Sequence, residues 1–340
     1  MRFFFLTLLF LSRVFADPNY VLVVGGAGFI GSHVNEMLYR SGYQTVVLDN
    51  LSKGDRRSVL HGIFIEGDLS DSALLDQIFS TYPIQAVMHF AAFLDVGESI
   101  HKPLMYYRNN VEGTLNLLGA MQRHGVNHFI FSSTCAIFGT AEKEVIDESH
   151  PRCPINPYGR SKLMVEQILE DLDRAYAFRY CAFRYFNAAG GDPRGEIKNY
   201  QTSRSNLIPV ILKSLQEGDG SVTIFGTDYP TPDGTGVRDY VHVEDLGAAH
   251  IAAMENLLKG SPSHCYNLGN GHGFSVYEVI AAAERVTGMT IQVIEAPRRA
   301  GDPIITIADS KKAHEELHWE PKYPSIDAII EHAWMALQHP

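Results

Sequence analysis

Residues 20–31 read Tyr20-Val21-Leu22-Val23-Val24-Gly25-Gly26-Ala27-Gly28-Phe29-Ile30-Gly31, and this stretch decides the fold. Its first five residues form an unbroken apolar run, which is typical of a strand buried on both faces. The glycines at 25, 28 and 31 predict a tight turn into a helix. The amino end of such a helix presents unpaired N–H groups and the positive end of the helix dipole, so the stretch predicts a cradle for a diphosphate.

The chain beyond this stretch alternates strand-like and helix-like segments. Apolar runs predict further strands at 45–48, 62–69, 86–92 and 129–132, and a helix is predicted through 111–118. This alternation is typical of an α/β fold with a doubly wound parallel sheet of the Rossmann type. We therefore expect ligands to bind at the carboxyl ends of the strands.

The second predicted strand ends in an acid, Asp49, which lies 18 residues after Gly31. A carboxylate at this place accepts hydrogen bonds from the adenosine ribose and repels a 2′-phosphate, which favours NAD over NADP. The alternative is an Asp that caps a helix in an ordinary loop. Asp68 follows the third strand and can face the adenine, while the small residues Ala91 and Ala92 let a cofactor lie close to the backbone.

Tyr158 and Lys162, four residues apart, are the candidate catalytic pair. Asn156 is a candidate N-cap and Pro157 suits the first helical position, so both side chains should lie on one face of a helix. Thr134 follows the fifth predicted strand, and we expect its hydroxyl to join the pair. A Tyr and a Lys at this spacing also occur by chance on protein surfaces. The prediction therefore depends on their combination with the glycine-rich turn.

Tyrosine is a weak base at neutral pH because its ordinary pKa is near ~10. A neighbouring ammonium and a cationic nicotinamide both favour the phenolate, and we expect them to bring the pKa of Tyr158 toward ~7. The phenolate would then remove a hydroxyl proton while hydride passes to the nicotinamide.

The composition argues against several classes of function. A net charge of −11 lacks the surplus of Lys and Arg that nonspecific binding to nucleic acid or to an anionic membrane needs. The four cysteines lie far apart without a CxxC pair, and the 15 histidines include no HExxH motif. We therefore expect no metal and no disulfide framework.

Residues 1–16 differ from the chain that follows. Met1-Arg2 precedes an apolar run from Phe3 to Leu11, and Ala16 stands where a signal peptidase would cut. The run is too short to span a membrane. Two interpretations stay open, a secretory signal and a start codon placed too far upstream. Because NAD is mainly cytosolic, we expect a cytoplasmic protein.

Six segments together resemble the extended short-chain dehydrogenase/reductase superfamily, and within it the UDP-glucose 4-epimerase family. The resemblance runs from about Tyr20 to the C-terminus. The segments are Gly25-Gly26-Ala27-Gly28-Phe29-Ile30-Gly31-Ser32-His33, Val96-Gly97-Glu98-Ser99, Tyr158 with Lys162, Arg184-Tyr185-Phe186-Asn187, Asp233-Gly234-Thr235-Gly236-Val237-Arg238-Asp239-Tyr240-Val241-His242-Val243 and Arg298-Arg299-Ala300-Gly301-Asp302-Pro303.

The resemblance implies an isomerase that epimerises UDP-glucose and UDP-galactose at C4 through a transient 4-keto sugar, with bound NAD regenerated in each turnover. It implies that Tyr158 is the acid/base on the C4 oxygen, that Lys162 holds the nicotinamide ribose and that Thr134 hydrogen-bonds the same oxygen. The cofactor contacts expected from the residues and the resemblance together are Gly25, Gly28, Phe29, Ile30, Gly31, Asp49, Asn50, Asp68, Leu69, Phe90, Ala91, Ala92, Asn109, Ser132, Tyr158, Lys162 and Phe186. The UDP-sugar contacts implied are Thr134, Asn187, Asn206, Leu207, Thr223, Ile224, Phe225, Arg238, Arg299, Asp302 and Thr306.

Thr306 bears on the size of the sugar. In the family this position, four residues after Asp302, lies beside the 2-substituent, where a bulky Tyr excludes an N-acetyl group. Because Thr306 is smaller, we expect the N-acetylated pair to be accepted as well. The alternative is that Thr306 is an ordinary strand residue and other side chains fill the space.

The chain departs from the family at some positions. Many relatives carry a cofactor-contacting Lys where this chain has Leu94, and many have Ser at Thr134 and Tyr at Phe138. A 4,6-dehydratase or a UDP-glucuronate decarboxylase shares the catalytic pair but carries an acid directly after the threonine region, where this chain has Cys135-Ala136. A non-catalytic NAD-binding scaffold predicts loss of the pair, which is present.

We expect two domains. The first is the NAD-binding Rossmann domain, residues 20–187 plus about 238–258. The second is a smaller, mixed α/β UDP-sugar-binding domain, about 188–237 plus 259–340. The Gly- and Pro-rich segment 190–195 is typical of the loops of a substrate-facing unit. The resemblance also implies a homodimer.

Overall fold

In the computed structural model, which describes residues 19–140, 143–198, 206–299 and 302–338, the chain folds around a seven-stranded parallel sheet. The strands are β1 (Tyr20–Val24), β2 (Gln44–Asp49), β3 (Ile63–Glu66), β4 (Ile84–His89), β5 (His128–Thr134), β6 (Val145–Ile146), β7 (Arg179–Tyr185), β8 (Asn187–Ala189), β9 (Ser221–Phe225), β10 (Val237–His242), β11 (His264–Leu268), β12 (Gly273–Ser275), β13 (Gln292–Ala296) and β14 (Ile305–Ala308). The α-helices are α1 (Phe29–Arg40), α2 (Ser72–Thr81), α3 (Val96–His101), α4 (Pro103–Tyr107), α5 (Gly113–Arg123), α6 (Pro157–Ala175), α7 (Leu207–Glu217), α8 (Val243–Leu258), α9 (Val276–Thr287), α10 (Lys311–Leu317) and α11 (Ile326–Leu337).

The large sheet has the strand order β11-β7-β5-β4-β1-β2-β3, with every neighbouring pair parallel. The chain leaves β1 toward β2 and β3 on one side and then crosses to β4 on the other. The order therefore reverses beside β1, and ligands of doubly wound sheets bind at such a switch point, outside the carboxyl ends of the strands. The predicted fold class is confirmed.

Each face of the sheet carries its own apolar core. Val21 and Val23 point to the face covered by α1 and α8, whereas Leu22 and Val24 point to the face covered by α2, α5 and α6. All four side chains are at most 1% exposed. Burial of each contributes about 1.5–3 kcal/mol, and this is why the strand needs apolar residues at every position rather than at alternate ones.

A second, smaller unit is built around β10. Its mixed sheet has the order β12-β10-β14-β6, β8 also pairs with β10, and β9 and β13 form a separate two-stranded sheet. Helices α7, α9 and α11 pack together in a core of their own, in which Leu212, Val279 and Ile329 are fully buried. The carboxyl edge of the large sheet and this unit line one cleft.

Two strands lie in a different unit from the one that the expected domain boundaries assign to them. β11 falls within 259–340, the part expected in the smaller unit, yet it is the seventh strand of the large sheet and pairs with β7. β10, in the expected return segment, pairs within the smaller unit. β11 was missed because His264 and Asn267 interrupt its short apolar pattern. The remaining boundaries stay a prediction.

The leader-like segment 1–16 lies outside the described residues. Among the helices of the described ranges, none is long and apolar enough to cross a membrane.

Candidate active site

A cleft of about 1320 Å³ opens at the switch point of the large sheet. Every residue predicted at the cofactor lines it, and so does every residue predicted at the UDP-sugar except Thr306. The sequence motifs, which are spread over most of the chain, are therefore brought to a single site. The roles assigned to the individual residues stay predictions.

The glycine-rich turn forms one end of the cleft. Gly25 has φ +78°, and a Cβ atom there would lie 2.4 Å from the backbone nitrogen of Ala91. A Cβ atom at Gly31 would lie 2.3 Å from the carbonyl oxygen of Gly25. Gly28 is the N-cap of α1 and supplies no side-chain hydrogen bond, so the first N–H groups of this helix remain available to an anion.

Asp49 is fixed beside this turn by two backbone hydrogen bonds. Ala27 N–H donates to its Oδ2 at 2.9 Å, and Leu51 N–H donates to its Oδ1 at 2.8 Å. Nearby, the Asn50 amide donates to Asp68 Oδ2 at 2.6 Å. Both carboxylates line the cleft and retain lone pairs for hydroxyl donors. Together with the free N–H groups of the helix, these acids fit the diphosphate and ribose of a dinucleotide such as NAD.

The catalytic pair stands on α6, which begins as predicted. Asn156 caps the helix by accepting a 2.8 Å hydrogen bond from Gly159 N–H, and Pro157 occupies the first turn. A Cβ atom at Gly159 would lie 2.6 Å from the carbonyl oxygen of Ala136, so only glycine lets the helix approach the end of β5 this closely. This approach brings Tyr158 within hydrogen-bonding reach of the Thr134 side chain.

Burial shifts both members of the pair toward their neutral forms. It raises the pKa of Tyr158 to about 12, although the hydrogen bond with Thr134 lowers it in part. It lowers the pKa of Lys162 to about 7, against the opposing effect of Glu166. The Lys162 Nζ donates to the carbonyl oxygen of Ser132 at 2.7 Å. Burial is thus the largest influence on Tyr158 in the protein alone, and the expectation that the ammonium and the nicotinamide together lower its pKa stays a prediction for the cofactor-bound protein.

A buried charge cluster lies directly behind the pair. Glu166, one turn beyond Lys162, is fully buried and accepts hydrogen bonds from Ser133 Oγ at 2.5 Å and from Arg184 Nη2 at 2.9 Å. Ser133 adjoins Thr134, so Glu166 ties the helix of the catalytic pair to the strand that carries the third hydroxyl. This cluster was not predicted, since nothing local in the sequence shows that these charges meet.

The two predicted arginines also line the cleft. Arg238 donates from Nη1 to the carbonyl oxygen of Val237 at 2.9 Å, and the Arg299 guanidinium stacks 3.7 Å from the centroid of the Phe225 ring. Asn206 is the N-cap of α7, but its side chain makes no capping hydrogen bond. Among the described residues, neither arginine is paired with a carboxylate, which leaves both positive charges available to an anionic ligand.

Thr306 is the one predicted UDP-sugar residue that does not line the cleft. It is buried in β14 beside Arg238, its pairing partner in β10, and it does not reach the cleft wall. Its hydroxyl is buried without a hydrogen-bond partner.

The segment before α5 holds a feature that sequence patterns do not reveal. Residues 108–112 form a π-helical turn, a distortion that often occurs at functional sites. Within it Asn110 donates to Ser161 Oγ at 3.0 Å and accepts from the Asn109 amide at 2.9 Å. Asn110 therefore ties Asn109, which lines the cleft, to the helix of the catalytic pair.

The four cysteines are free thiols, of which Cys181 is buried and Cys153 is exposed. Cys135 lines the cleft beside Thr134, and burial raises the pKa of its thiol to about 11. It is therefore protonated at neutral pH and a poor nucleophile. Across the described ranges, no group of three His, Cys, Asp or Glu side chains is arranged to hold a metal ion.

Comparisons with known proteins agree with this geometry. A UDP-glucose 4-epimerase of Halalkalibacterium halodurans is 49% identical over 92% of this chain and 94% of its own length. The crystal structure of UDP-glucose 4-epimerase from Brucella ovis in complex with NAD is 45% identical and superposes with a TM-score of 0.90 over 93% of this chain and 97% of its own. The structure of the UDP-Glc/GlcNAc 4-epimerase from Campylobacter jejuni is 41% identical, with a TM-score of 0.82 over 94% and 98% of the two chains. The model of the NAD dependent epimerase/dehydratase family matches residues 21–269, and the chain belongs to that family.

Proposed function

We propose that this protein catalyses the NAD-dependent interconversion of UDP-hexoses at C4, with UDP-glucose and UDP-galactose as substrates and a 4-keto sugar as intermediate. The observation that carries this proposal is one cleft that is lined by the dinucleotide cradle, by the Tyr158, Thr134 and Lys162 side chains and by two arginines. Similar proteins named UDP-glucose 4-epimerase support the same conclusion.

Tyr158, Thr134 and Lys162 each have a separate role in this reaction. NAD, when bound, supplies the acceptor and donor of hydride. Tyr158 removes the proton of the C4 hydroxyl and later returns one, and the Thr134 hydroxyl orients the same oxygen. The carbonyl oxygen of Ser132 accepts a hydrogen bond from the Lys162 ammonium and so fixes it. From this position Lys162 orients the nicotinamide ribose.

Epimerisation needs the keto sugar to turn over while the nucleotide stays in place. Arg238 and Arg299 suit this because guanidinium groups bind a diphosphate through several directed hydrogen bonds. Both line the cleft. We infer that they hold the UDP part and leave the hexose loosely bound.

A 4,6-dehydratase or a decarboxylase is less well supported. Such reactions need a group that moves a proton at C5 or C6, and a carboxylate after Thr134 supplies it in those relatives. Here Cys135 and Ala136 occupy that place, and the thiol of Cys135 has a pKa of about 11. Neither side chain is an acid or base at neutral pH.

We also propose that the N-acetylated UDP-sugars are accepted. A Tyr at position 306 would exceed the buried space that Thr306 fills and would have to extend beyond it. Thr306 stays within that buried space and off the cleft lining, so it does not narrow the cleft beside the sugar. The similar protein from Campylobacter jejuni, named as acting on both kinds of sugar, supports this proposal.

We propose a homodimer in the cytoplasm. The side chains of Ile100, Leu104 and Met164 on α3, α4 and α6 are 58%, 70% and 41% exposed, and these helices contact one another. An exposed apolar surface of this kind favours association with a second copy. A cytoplasmic location follows from the need for NAD and UDP-sugars.

A coupled assay with a panel of UDP-hexoses, applied to the native protein and to two variants, tests the function. Tyr158→Phe should lower kcat by at least ~10²-fold while bound NAD is unchanged. Tyr176→Phe removes a hydroxyl from an exposed residue at the end of the same helix and should leave kcat unaltered. Near-normal turnover by Tyr158→Phe would contradict the mechanism.

A further inference from the structure

The loop after β2 is fixed against the glycine-rich turn. A Cβ atom at Gly54 would lie 2.8 Å from the carbonyl carbon of Ala27, and Asp55 N–H donates to the carbonyl oxygen of Ala27 at 3.1 Å. Lys53, the residue before Gly54, lines the cleft. Its backbone is thus held next to the predicted diphosphate cradle.

The Lys53 side chain extends across the opening of the cleft. Its Nζ lies 5.9 Å from the centroid of the Phe93 ring. Phe93 belongs to the loop after β4, and β4 and β2 lie on opposite sides of β1. Among the described residues it forms no hydrogen bond and no ion pair. Its attraction to Glu98 is weak, because Glu98 is hydrogen-bonded to Lys102 at 3.1 Å and to Tyr106. Lys53 is therefore a cation that lies beside the predicted diphosphate site and has no hydrogen-bonding or ion-pair partner among the described residues.

The residue after Phe93 is Leu94, which is 55% exposed and also lines the cleft. This is the position at which many relatives carry a cofactor-contacting Lys. The loop after β4 thus lacks the cation that many relatives have at position 94. The ammonium of Lys53 instead lies against Phe93, the residue before Leu94. Arg108 is the other cation that lines this region, and it forms no ion pair with the described residues.

We propose that Lys53 is the cation that binds the diphosphate of the dinucleotide in this chain, taking from the opposite wall the role of the lysine absent at position 94. The proposal rests on the proposed function only in that the ligand is NAD. Lys53 arrives from the loop that packs on the glycine-rich turn, whereas a lysine at 94 would arrive from the loop after β4. Both can reach an anion that lies between β1, β2 and β4.

Retention of the cofactor tests this assignment without relying on turnover. Lys53→Ala should raise the dissociation constant of NAD roughly 10-fold or more, as loss of a hydrogen bond to a charged group does. The double variant Lys53→Ala with Leu94→Lys should restore tight binding. Lys102→Ala removes an exposed lysine outside the cleft and should bind NAD as the native protein does.

The measurements are bound NAD(H) per chain after gel filtration and the dissociation constant from cofactor titration. The proposal is overturned by unchanged retention in Lys53→Ala, by a loss that Leu94→Lys does not restore, or by a loss confined to Arg108→Ala. A native protein that retains no dinucleotide would instead contradict the proposed function. Lys53 is exposed, so the far-ultraviolet circular dichroism of the variants should match that of the native protein.

Discussion

The charge of Glu166 offers the perturbation whose effect the structure defines best. Its carboxylate is fully buried and accepts from Arg184 at both 2.9 and 3.2 Å, and Arg184 itself is only 3% exposed. Glu166→Gln keeps the size of the side chain but leaves Arg184 as a buried cation without its carboxylate. Breaking a buried ion pair in this way costs about 3–5 kcal/mol.

This cost converts into a shift of the melting temperature. Unfolding entropy near the transition is about 2.1 cal/mol/K per residue, which gives roughly 0.7 kcal/mol/K for a chain of 340 residues. The Glu166→Gln variant should therefore melt roughly 4–7 °C below the native protein. Glu170→Gln makes the same chemical change one helical turn further on, where the carboxylate pairs with Arg152 in a partly exposed position. It should cost at most ~1 kcal/mol and lower Tm by no more than roughly 1.5 °C.

Scanning calorimetry of the native protein and both variants, with NAD at one fixed excess, measures the difference. The expected result is a large shift for Glu166→Gln beside a small one for Glu170→Gln. Equal shifts, or a shift below ~1 °C for Glu166→Gln, would refute the claim that the buried carboxylate stabilises Arg184.

Three further predictions follow from the site. Burial lowers the pKa of Lys162 to about 7, and Glu166 raises it in part. Glu166→Gln should therefore lower the pKa of Lys162 further, so that kcat begins to fall at a lower pH than in the native protein. An unchanged pH profile of kcat would count against this coupling. Denatured native protein should release NAD(H), since Asp49 leaves no place for a 2′-phosphate, and an extract containing mainly NADP(H) would refute that role. Thr306→Tyr should reduce kcat/KM for the N-acetylated pair selectively, whereas equal losses for both sugar pairs would show that the position is not a gate.

The features that could be predicted from the sequence are those that depend on residues close together in the chain. The glycine-rich turn and the cap at Asn156 depend on residues within a few positions of each other, so their patterns predicted both helix starts correctly. The seventh strand and the cluster around Glu166 depend on contacts between distant segments, which no local pattern encodes. Thr306 was placed by analogy with a longer side chain, and a threonine is too short to occupy the same surface.

The pKa values of the catalytic pair connect cofactor binding to the proton chemistry. Burial penalises the charged form of each group, so it raises the pKa of Tyr158 to about 12 and lowers that of Lys162 to about 7. The protein alone thus favours a neutral tyrosine, and at pH 7 the phenolate is a minor form. A positive charge that enters the same poorly hydrated pocket acts with little screening and favours the phenolate strongly. The cationic nicotinamide brings such a charge, so a residue that retains the dinucleotide, as we propose for Lys53, also maintains the base. Loss of cofactor should therefore remove the proton acceptor together with the hydride acceptor.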